Sequence, residues 1–310
     1  MRDFPGKTAI AQKAWIKAHK WLLLRRFSQL SVLLLFLTGP LFGIWLVTGN
    51  LSASMTLGVL PLTDPLLLTQ SMLSGNWPTL TGMLGALLVL LFYALLGGRI
   101  FCSWVCPVNL VTDLAAWTRR RFGMRQCGKL PRNLRWWLLA LVLILPAATG
   151  VMVWEYVNPV SMMHRGIIFG MGWAWTLIAA VFLYDLFIVR RGWCGHLCPM
   201  GSCYALIGTQ APVHVAALGR ERCDDCMDCF EICPEPQVIK PALKGVGRNG
   251  ARGLGPVITD IDCTKCGRCI DVCGKDVFAL NLGRIRAGGF AATGIDRRLP
   301  GGVAANAGSR

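Results

Sequence analysis

The sequence predicts an α-helical integral membrane protein: four transmembrane helices followed by a small, cysteine-rich soluble domain. Three observations carry this expectation. Of the 310 residues, 54% are hydrophobic and only 15% charged, against about 25% charged in an ordinary soluble chain. The missing charge is concentrated in four apolar windows, each close to the ~20 residues that cross a bilayer. The 14 cysteines are clustered, which in a reducing compartment points to metal rather than disulfides. A mean hydropathy of +0.50 excludes an ordinary soluble enzyme and a largely disordered chain.

The four spans run from Phe27 to Thr48, Leu80 to Gly98, Trp136 to Val153 and Ile167 to Val189. Pro40 and Pro146 fall inside the first and third, where neighbouring groups can satisfy the freed carbonyl. The stretch Leu51–Leu73 is also apolar, but Pro61, Asp64 and Pro65 break it, so it reads as an external loop.

The charges then orient the chain. Lys and Arg number seven in residues 1–26, eight in 99–135 and sixteen in 190–310, leaving only Arg165 for the two opposite loops. The positive-inside rule puts both termini and the 99–135 loop in the cytoplasm, so the protein is expected in the bacterial inner membrane as a multi-pass protein. The net charge of +16 is then a topology signal, and nucleic acid is not an expected partner. A cleaved signal peptide is not expected either, because the first apolar run is about twice the usual length. The expected organisation is a basic N-terminus (1–26), a membrane domain (27–191) with its cytoplasmic loop 99–135, a soluble domain (192–281) and a disordered Gly- and Arg-rich tail (282–310).

The chemistry lies in the cysteines. Cys223, Cys226, Cys229 and Cys233, followed by Pro234, have the bacterial C-x2-C-x2-C-x3-C-P spacing of a [4Fe–4S] site. Cys263, Cys266, Cys269 and Cys273 repeat it, with Gly274 in place of proline. In such pairs the fourth cysteine ligates the other cluster. Cys223, Cys226, Cys229 and Cys273 are therefore expected to hold one [4Fe–4S] cluster, and Cys263, Cys266, Cys269 and Cys233 the other. Zinc needs four ligands, not eight in a doubled pattern. The soluble domain thus reads as a cytoplasmic, bacterial-type two-cluster ferredoxin-like domain, a one-electron relay.

A second pair of motifs, Cys102-Ser-Trp-Val-Cys106-Pro107 and Cys194-Gly-His-Leu-Cys198-Pro199, follows the second and fourth spans on the cytoplasmic side. Residues four apart share a helix face. The four cysteines could form a further thiol metal site or redox dithiols, or be small buried residues at helix ends. Cys127 and Cys203 fit no pattern. Gly245-Val-Gly247-Arg-Asn-Gly250 matches G-x-G-x-x-G only formally, with no βαβ unit around it, and reads as a loop. Asp185 is an acid inside the fourth span, a functional candidate by default that could equally pair with Arg190.

Taken together, these residues resemble the NapH family, the ferredoxin-type membrane quinol dehydrogenase component of periplasmic nitrate reduction. The resemblance runs from about His19 to Leu280. It rests on Lys20-Trp21-Leu22 with Leu24-Arg25-Arg26, Pro61-Leu62-Thr63-Asp64-Pro65, Phe101 to Pro107, Asn158-Pro159-Val160-Ser161, Gly192 to Pro199, and Cys226 to Pro236. The longer linker Gly245–Gly255 and the extended tail depart from it.

The resemblance implies electron transfer from menaquinol or ubiquinol, through the clusters, towards the periplasmic nitrate reductase, with the periplasmic iron–sulfur protein NapG as partner. Oxidising a quinol releases protons, so a carboxylate or histidine near the interface is chemically apt. His196, Glu155 and Asp64 are the proton or quinol candidates, with His164 and Arg165 near Glu155; interfacial Trp154 and Tyr156 also fit an aromatic belt. The competing function is a cluster-bearing membrane factor for assembly, maturation or regulation of a metalloenzyme. A channel or transporter fits poorly, because no inverted repeat of broken helices is present.

Overall fold

The computed structural model describes residues 4–124, 128, 130–170, 172–244 and 256–283. Two short N-terminal helices, α1 (Lys7–Lys13) and α2 (Trp15–Ala18), lead into α3 (Lys20–Phe42). Among the described residues α3 is the one helix long and apolar enough to cross a membrane. It starts seven residues before the expected span, because Trp21 and Leu22 donate their N–H groups to Asp271 of the ferredoxin part at 3.0 and 2.9 Å. A carboxylate supplied from elsewhere thus caps a helix with no side-chain cap of its own. The helix ends at Gly43, in the left-handed conformation at φ 71°, so the expected span's last residues leave it.

The stretch expected as an external loop is instead ordered. Strands β1 (Val47–Gly49), β2 (Ala53–Thr56) and β3 (Leu60–Thr63) form an antiparallel meander, followed by α4 (Pro65–Leu73). Asp64 caps α4, with Pro65 at the first helical position. The meander lies against α5 (Leu80–Leu96), and α4 packs on α5 and α8 (Leu134–Thr149). The prolines that break the apolar pattern are turn and cap residues here, not signs of a solvated loop.

Helix α5 is 17 residues long and α8 16. The fourth apolar run splits at Gly170, left-handed at φ 64°, between α10 (Pro159–Phe169) and α11 (Gly172–Leu183); α9 (Val153–Val157) precedes them. A π-helical turn, Tyr184–Ile188, extends α11. These three apolar stretches are shorter than the expected spans, and a rise of ~1.5 Å per residue makes 17 residues about 26 Å long.

Helices α6 (Ile100–Trp104) and α7 (Val108–Arg121) follow α5; α12 (Pro199–Ile207) follows a second π-helical turn, Trp193–Leu197. Although the sequence places 192 onward in the soluble part, α12 packs on α8 and α5. The contact is backbone-close, since a Cβ on Gly98 would sit 1.5 Å from the Tyr204 carbonyl oxygen. Glycine at 98 is what lets the two chains meet.

The ferredoxin-type part has β4 (Val213–Ala216) paired antiparallel with β5 (Ala279–Leu282), Val213 opposite Leu282. Helices α13 (Asp228–Ile232) and α15 (Arg268–Val272) pack together, with α14 (Ile239–Lys244) between them in sequence. The core joins Val215, Ile239, Ile258, Val277 and Phe278 to Cys229 and Cys269. The Gly245–Gly250 motif, Cys127 and nearly all of the 282–310 tail lie outside the described residues.

Candidate iron–sulfur and thiol sites

The two cysteine runs fold as near copies. Asp225 and Met227 in the first, and Lys265 and Gly267 at the matching places in the second, all have φ between 50° and 73°. Left-handed residues on either side of the middle cysteine turn the loop around its own centre and aim amides inward. Backbone N–H groups of Asp228, Phe230, Glu235, Lys265 and Arg268 thereby reach the sulfurs of Cys226, Cys229, Cys233, Cys263 and Cys266.

The thiols converge in two sets of four. Cys223, Cys226, Cys229 and Cys273 line one void. Cys233, Cys263, Cys266 and Cys269 line another. Each set takes three thiols from one run and one from the other. Among the described residues no three ligand side chains close on one point as a single ion requires. Zinc would draw its thiolates to within about 3.8 Å of one another, given Zn–S bonds of about 2.3 Å in a tetrahedron. A cube bonds each thiolate through a different iron, so four thiols around a void, with amides directed at sulfur, fit a [4Fe–4S] group.

The sets differ in environment. Cys226 is exposed, whereas Cys266 and Cys269 are buried. Burial pushes the Cys229 thiol up to about 12. At Cys266 burial also raises the thiol, but the Arg268 and Arg25 charges outweigh it and bring it below its ordinary value.

Cys102, Cys106, Cys194 and Cys198 come together in the adjoining core, each raised by burial; Cys106, Cys194 and Cys198 are raised further by other members of the group, while Arg99 opposes the rise at Cys102. They do not lie along continuous helices. The N–H of Cys106 bonds the Phe101 carbonyl, and that of Cys198 the Trp193 carbonyl, both at 2.9 Å. In each motif a wide turn thus closes from the second cysteine to the residue before the first, and Pro107 or Pro199 follows. The two motifs are local structural copies.

A void lined by Cys102, Cys194, Glu235, Thr264 and Arg268 separates this quartet from the second ferredoxin set. Arg99 bridges the gap. It donates to the carbonyls of Asp262 (2.9 Å) and Cys194 (3.0 Å) and pairs with Glu235 at 3.4 Å. Arg135 closes the network on Asp262 at 2.5 Å.

The proton candidates separate. Asp64 is buried and accepts the Tyr204 hydroxyl at 3.1 Å. Tyr204 stacks on Phe101 at 4.8 Å and meets Tyr93 edge-on at 5.2 Å, so a segment expected outside reaches the aromatic core beside Cys102. Glu155 pairs with Arg165 at 3.1 Å. His164 is buried edge-on to Phe36 at 4.8 Å. His196 lies on the ferredoxin side, lowered by burial with Glu235 opposing. Asp185 accepts the Trp193 N–H at 2.9 Å, while Arg190 donates to the Glu231 carbonyl. Asp185 therefore holds the turn that carries Cys194. Cys203 is half-buried, its thiol raised to about 12.

Burial pushes the Asp64 carboxyl up to about 6, against the Tyr204 and Leu66 hydrogen bonds. The folded chain then holds this proton more tightly than the unfolded chain. Stability is fully present below about pH 4 and falls as pH rises from there through about 6, by ~3 kcal/mol in all. Thermal unfolding midpoints between pH 4 and 7 should show this decline in the wild type and a flatter profile in Asp64→Asn. Equal slopes would remove Asp64 as the cause.

The residues not signalled by motif are the charges that join the two parts. Asp113, the single acid between 99 and 135, contacts Arg25, Arg26, Arg191 and Arg268. Its isolation among eight basic residues was the available cue.

Comparison with known proteins agrees with the cysteine geometry. A 4Fe-4S binding domain family matches residues 78–125 and 171–212, and a 4Fe-4S dicluster domain family matches 222–277. The fold and thiol sets define an iron–sulfur electron-transport protein of ferredoxin type. The chain is 47% identical to the ferredoxin-type protein NapH of Escherichia coli, over 89% of this chain and 94% of that one. It is 44% identical to NapH of Haemophilus influenzae, over 89% and 94%. It is 51% identical to the methylamine utilization ferredoxin-type protein MauN of Paracoccus denitrificans, over 88% and 94%. The chain belongs to this NapH/MauN family of ferredoxin-type proteins. No solved structure matches it.

Proposed function

We propose that the chain is a quinol-oxidising membrane component that passes electrons from menaquinol or ubiquinol towards a periplasmic nitrate reductase, by way of a NapG-like iron–sulfur protein. In this reading it spans the bacterial inner membrane four times with both termini cytoplasmic, and the segment around Asp64 and α4 re-enters between the spans to reach Tyr204. Residues 27–191 form the membrane domain and 192–281 the two-cluster domain. Cys223, Cys226, Cys229 and Cys273 hold one cluster, and Cys263, Cys266, Cys269 and Cys233 the other.

The observation that carries the reading is continuity. Asp64 accepts the Tyr204 hydroxyl and the Tyr204 ring stacks on Phe101, the next residue is Cys102, and Arg99 ties Cys194 to Glu235 and Asp262 beside the second thiol set. A quinol gives up two electrons and two protons. When bound, the clusters accept electrons one at a time. Asp64, with a carboxyl near 6, is matched to receiving a proton near neutral pH. The amides and Arg268 around the second set hold extra negative charge on sulfur.

The test is anaerobic EPR of the purified protein before and after menaquinol or ubiquinol. Reduced-cluster signals that a quinone-site inhibitor abolishes support the reading; two full clusters unresponsive to either quinol refute it. The double substitution Cys106→Ala/Cys198→Ala should leave iron at about eight per chain and remove quinol-driven reduction. Unchanged reduction would take the quartet out of the route.

The 51% identity to a protein named for methylamine utilization weighs against a link to nitrate reduction alone, and the second reading is an iron–sulfur factor serving assembly, maturation or regulation of a metalloenzyme. Full clusters unresponsive to quinol would select it.

A further inference from the structure

A cavity of about 530 Å³ opens between α1, the start of α3, α7 and α15. Five guanidinium groups line it, those of Arg25, Arg26, Arg120, Arg191 and Arg268, against the carboxylates of Asp113 and Asp271. Asp271 is already committed, both oxygens accepting α3 amides. Asp113 is shared by four of the arginines.

The surplus shows in the hydrogen bonds. Arg25 is 1% exposed, yet its Nε has no hydrogen-bond partner, and its terminal nitrogen facing Asp113 stays 3.8 Å from the carboxylate, beyond hydrogen-bond reach. A buried terminal nitrogen of Arg120 also has no hydrogen-bond partner. Buried cationic groups are costly unless an anion meets them.

The rest of the wall is apolar. Leu22, Leu110, Leu114 and Trp117 line it, and Leu114 and Trp117 also face outward, 53% and 51% exposed. A basic floor with an apolar, open side is the complement of an anionic amphiphile. A free phosphate would have no use for the leucines.

We propose that this cavity binds the phosphate group of an anionic phospholipid, with Arg25 and Arg120 taking the phosphate and Leu114 and Trp117 the start of an acyl chain. This rests on the membrane reading above, which places the start of α3 and the 99–135 loop at the cytoplasmic face, where basic pockets between helices take anionic headgroups. The site touches Arg268, two residues from Cys266, so a bound lipid would lie beside the second thiol set.

The test uses the full-length, cluster-loaded protein in non-ionic detergent, examined by native mass spectrometry with phosphatidylglycerol, phosphatidylcholine or inorganic phosphate added. One phosphatidylglycerol should stay bound, at least about fivefold more tightly than phosphatidylcholine, and Arg120→Gln should cancel that preference. Arg120 lies outside the Asp113 ion pairs, so iron content should stay at the wild-type level. Leu114→Ala/Trp117→Ala should weaken phosphatidylglycerol binding while leaving the protein loaded. Equal binding of the two lipids, or full displacement by inorganic phosphate, would overturn the proposal. Carbonate extraction separates the two failures: release from membranes overturns the membrane reading and the site together, whereas retention without lipid selectivity overturns the site alone.

Discussion

Replacing Cys233 by alanine should cost the protein the cluster of the second thiol set and spare the first. Iron should fall from about eight to about four per chain, and the surviving signal should disappear in a further Cys226→Ala variant but not in Cys266→Ala. The reason is the crossing. Cys233 belongs to the first run by sequence, yet it lines the void of Cys263, Cys266 and Cys269, while Cys273 of the second run lines the void of the first. An uncrossed arrangement predicts the opposite dependence, so the pair of double variants decides between them. The effect reaches the fold as well. Cys233 packs against the same core as Cys229 and Cys269, and when a group that ligands hold is lost, its binding free energy is withdrawn from folding. Iron analysis and spin quantitation on anaerobically purified protein would measure the result. Retention of about eight irons in Cys233→Ala would dismiss the assignment.

How much of this was legible in the sequence depends on how local each determinant is. The cysteine runs were legible because a loop that wraps one centre fixes its spacing within seven residues, and the left-handed positions at 225, 227, 265 and 267 follow from that wrapping. Helices α5 and α8 were legible from apolar runs. The meander and α4 were not, because Pro61, Asp64 and Pro65 carry the signature of a loop. Only contact with α5 and α8, which local pattern does not encode, turns them into packed structure. The fourth span was overextended because hydrophobicity continues through Gly170 while the backbone does not. The charge networks were hidden for a further reason: Arg26 and Arg268 lie 87 and 155 residues from Asp113. Nothing in spacing links them, and only the count of one acid among many bases hinted at a hub.

That hub supports the second large effect, Asp113→Asn. Burial alone would raise the Asp113 carboxyl, but Arg268, Arg191, Arg25 and Arg26 outweigh it and hold it well below the usual carboxylate range. Both carboxylate oxygens take Arg268 at 2.7 Å, and one takes Arg191 at 2.8 Å. The amide keeps the shape and removes the charge, leaving four guanidinium groups packed together without the one carboxylate they share. Breaking one partner out of a buried ion network costs about 3–5 kcal/mol. Because Arg25 and Arg26 come from α3, Arg191 from the turn after α11 and Arg268 from α15, the loss falls on the docking of the ferredoxin part against the helices. Asp276, paired with Lys13 but 57% exposed, is the control: Asp276→Asn should cost under about 1 kcal/mol. Limited proteolysis and thermal unfolding of the two variants side by side would separate them. The wild type adds a pH signature. A carboxyl depressed in the folded state contributes stability above its unfolded value of about 3.9, and that contribution is lost as pH falls below it. Acid should therefore release the ferredoxin part from about pH 4 downward in the wild type, while Asp113→Asn should already be loosened at neutral pH and show no such step. An Asp113→Asn protein as stable as the Asp276→Asn control would mean the arginines are neutralised by something other than this carboxylate.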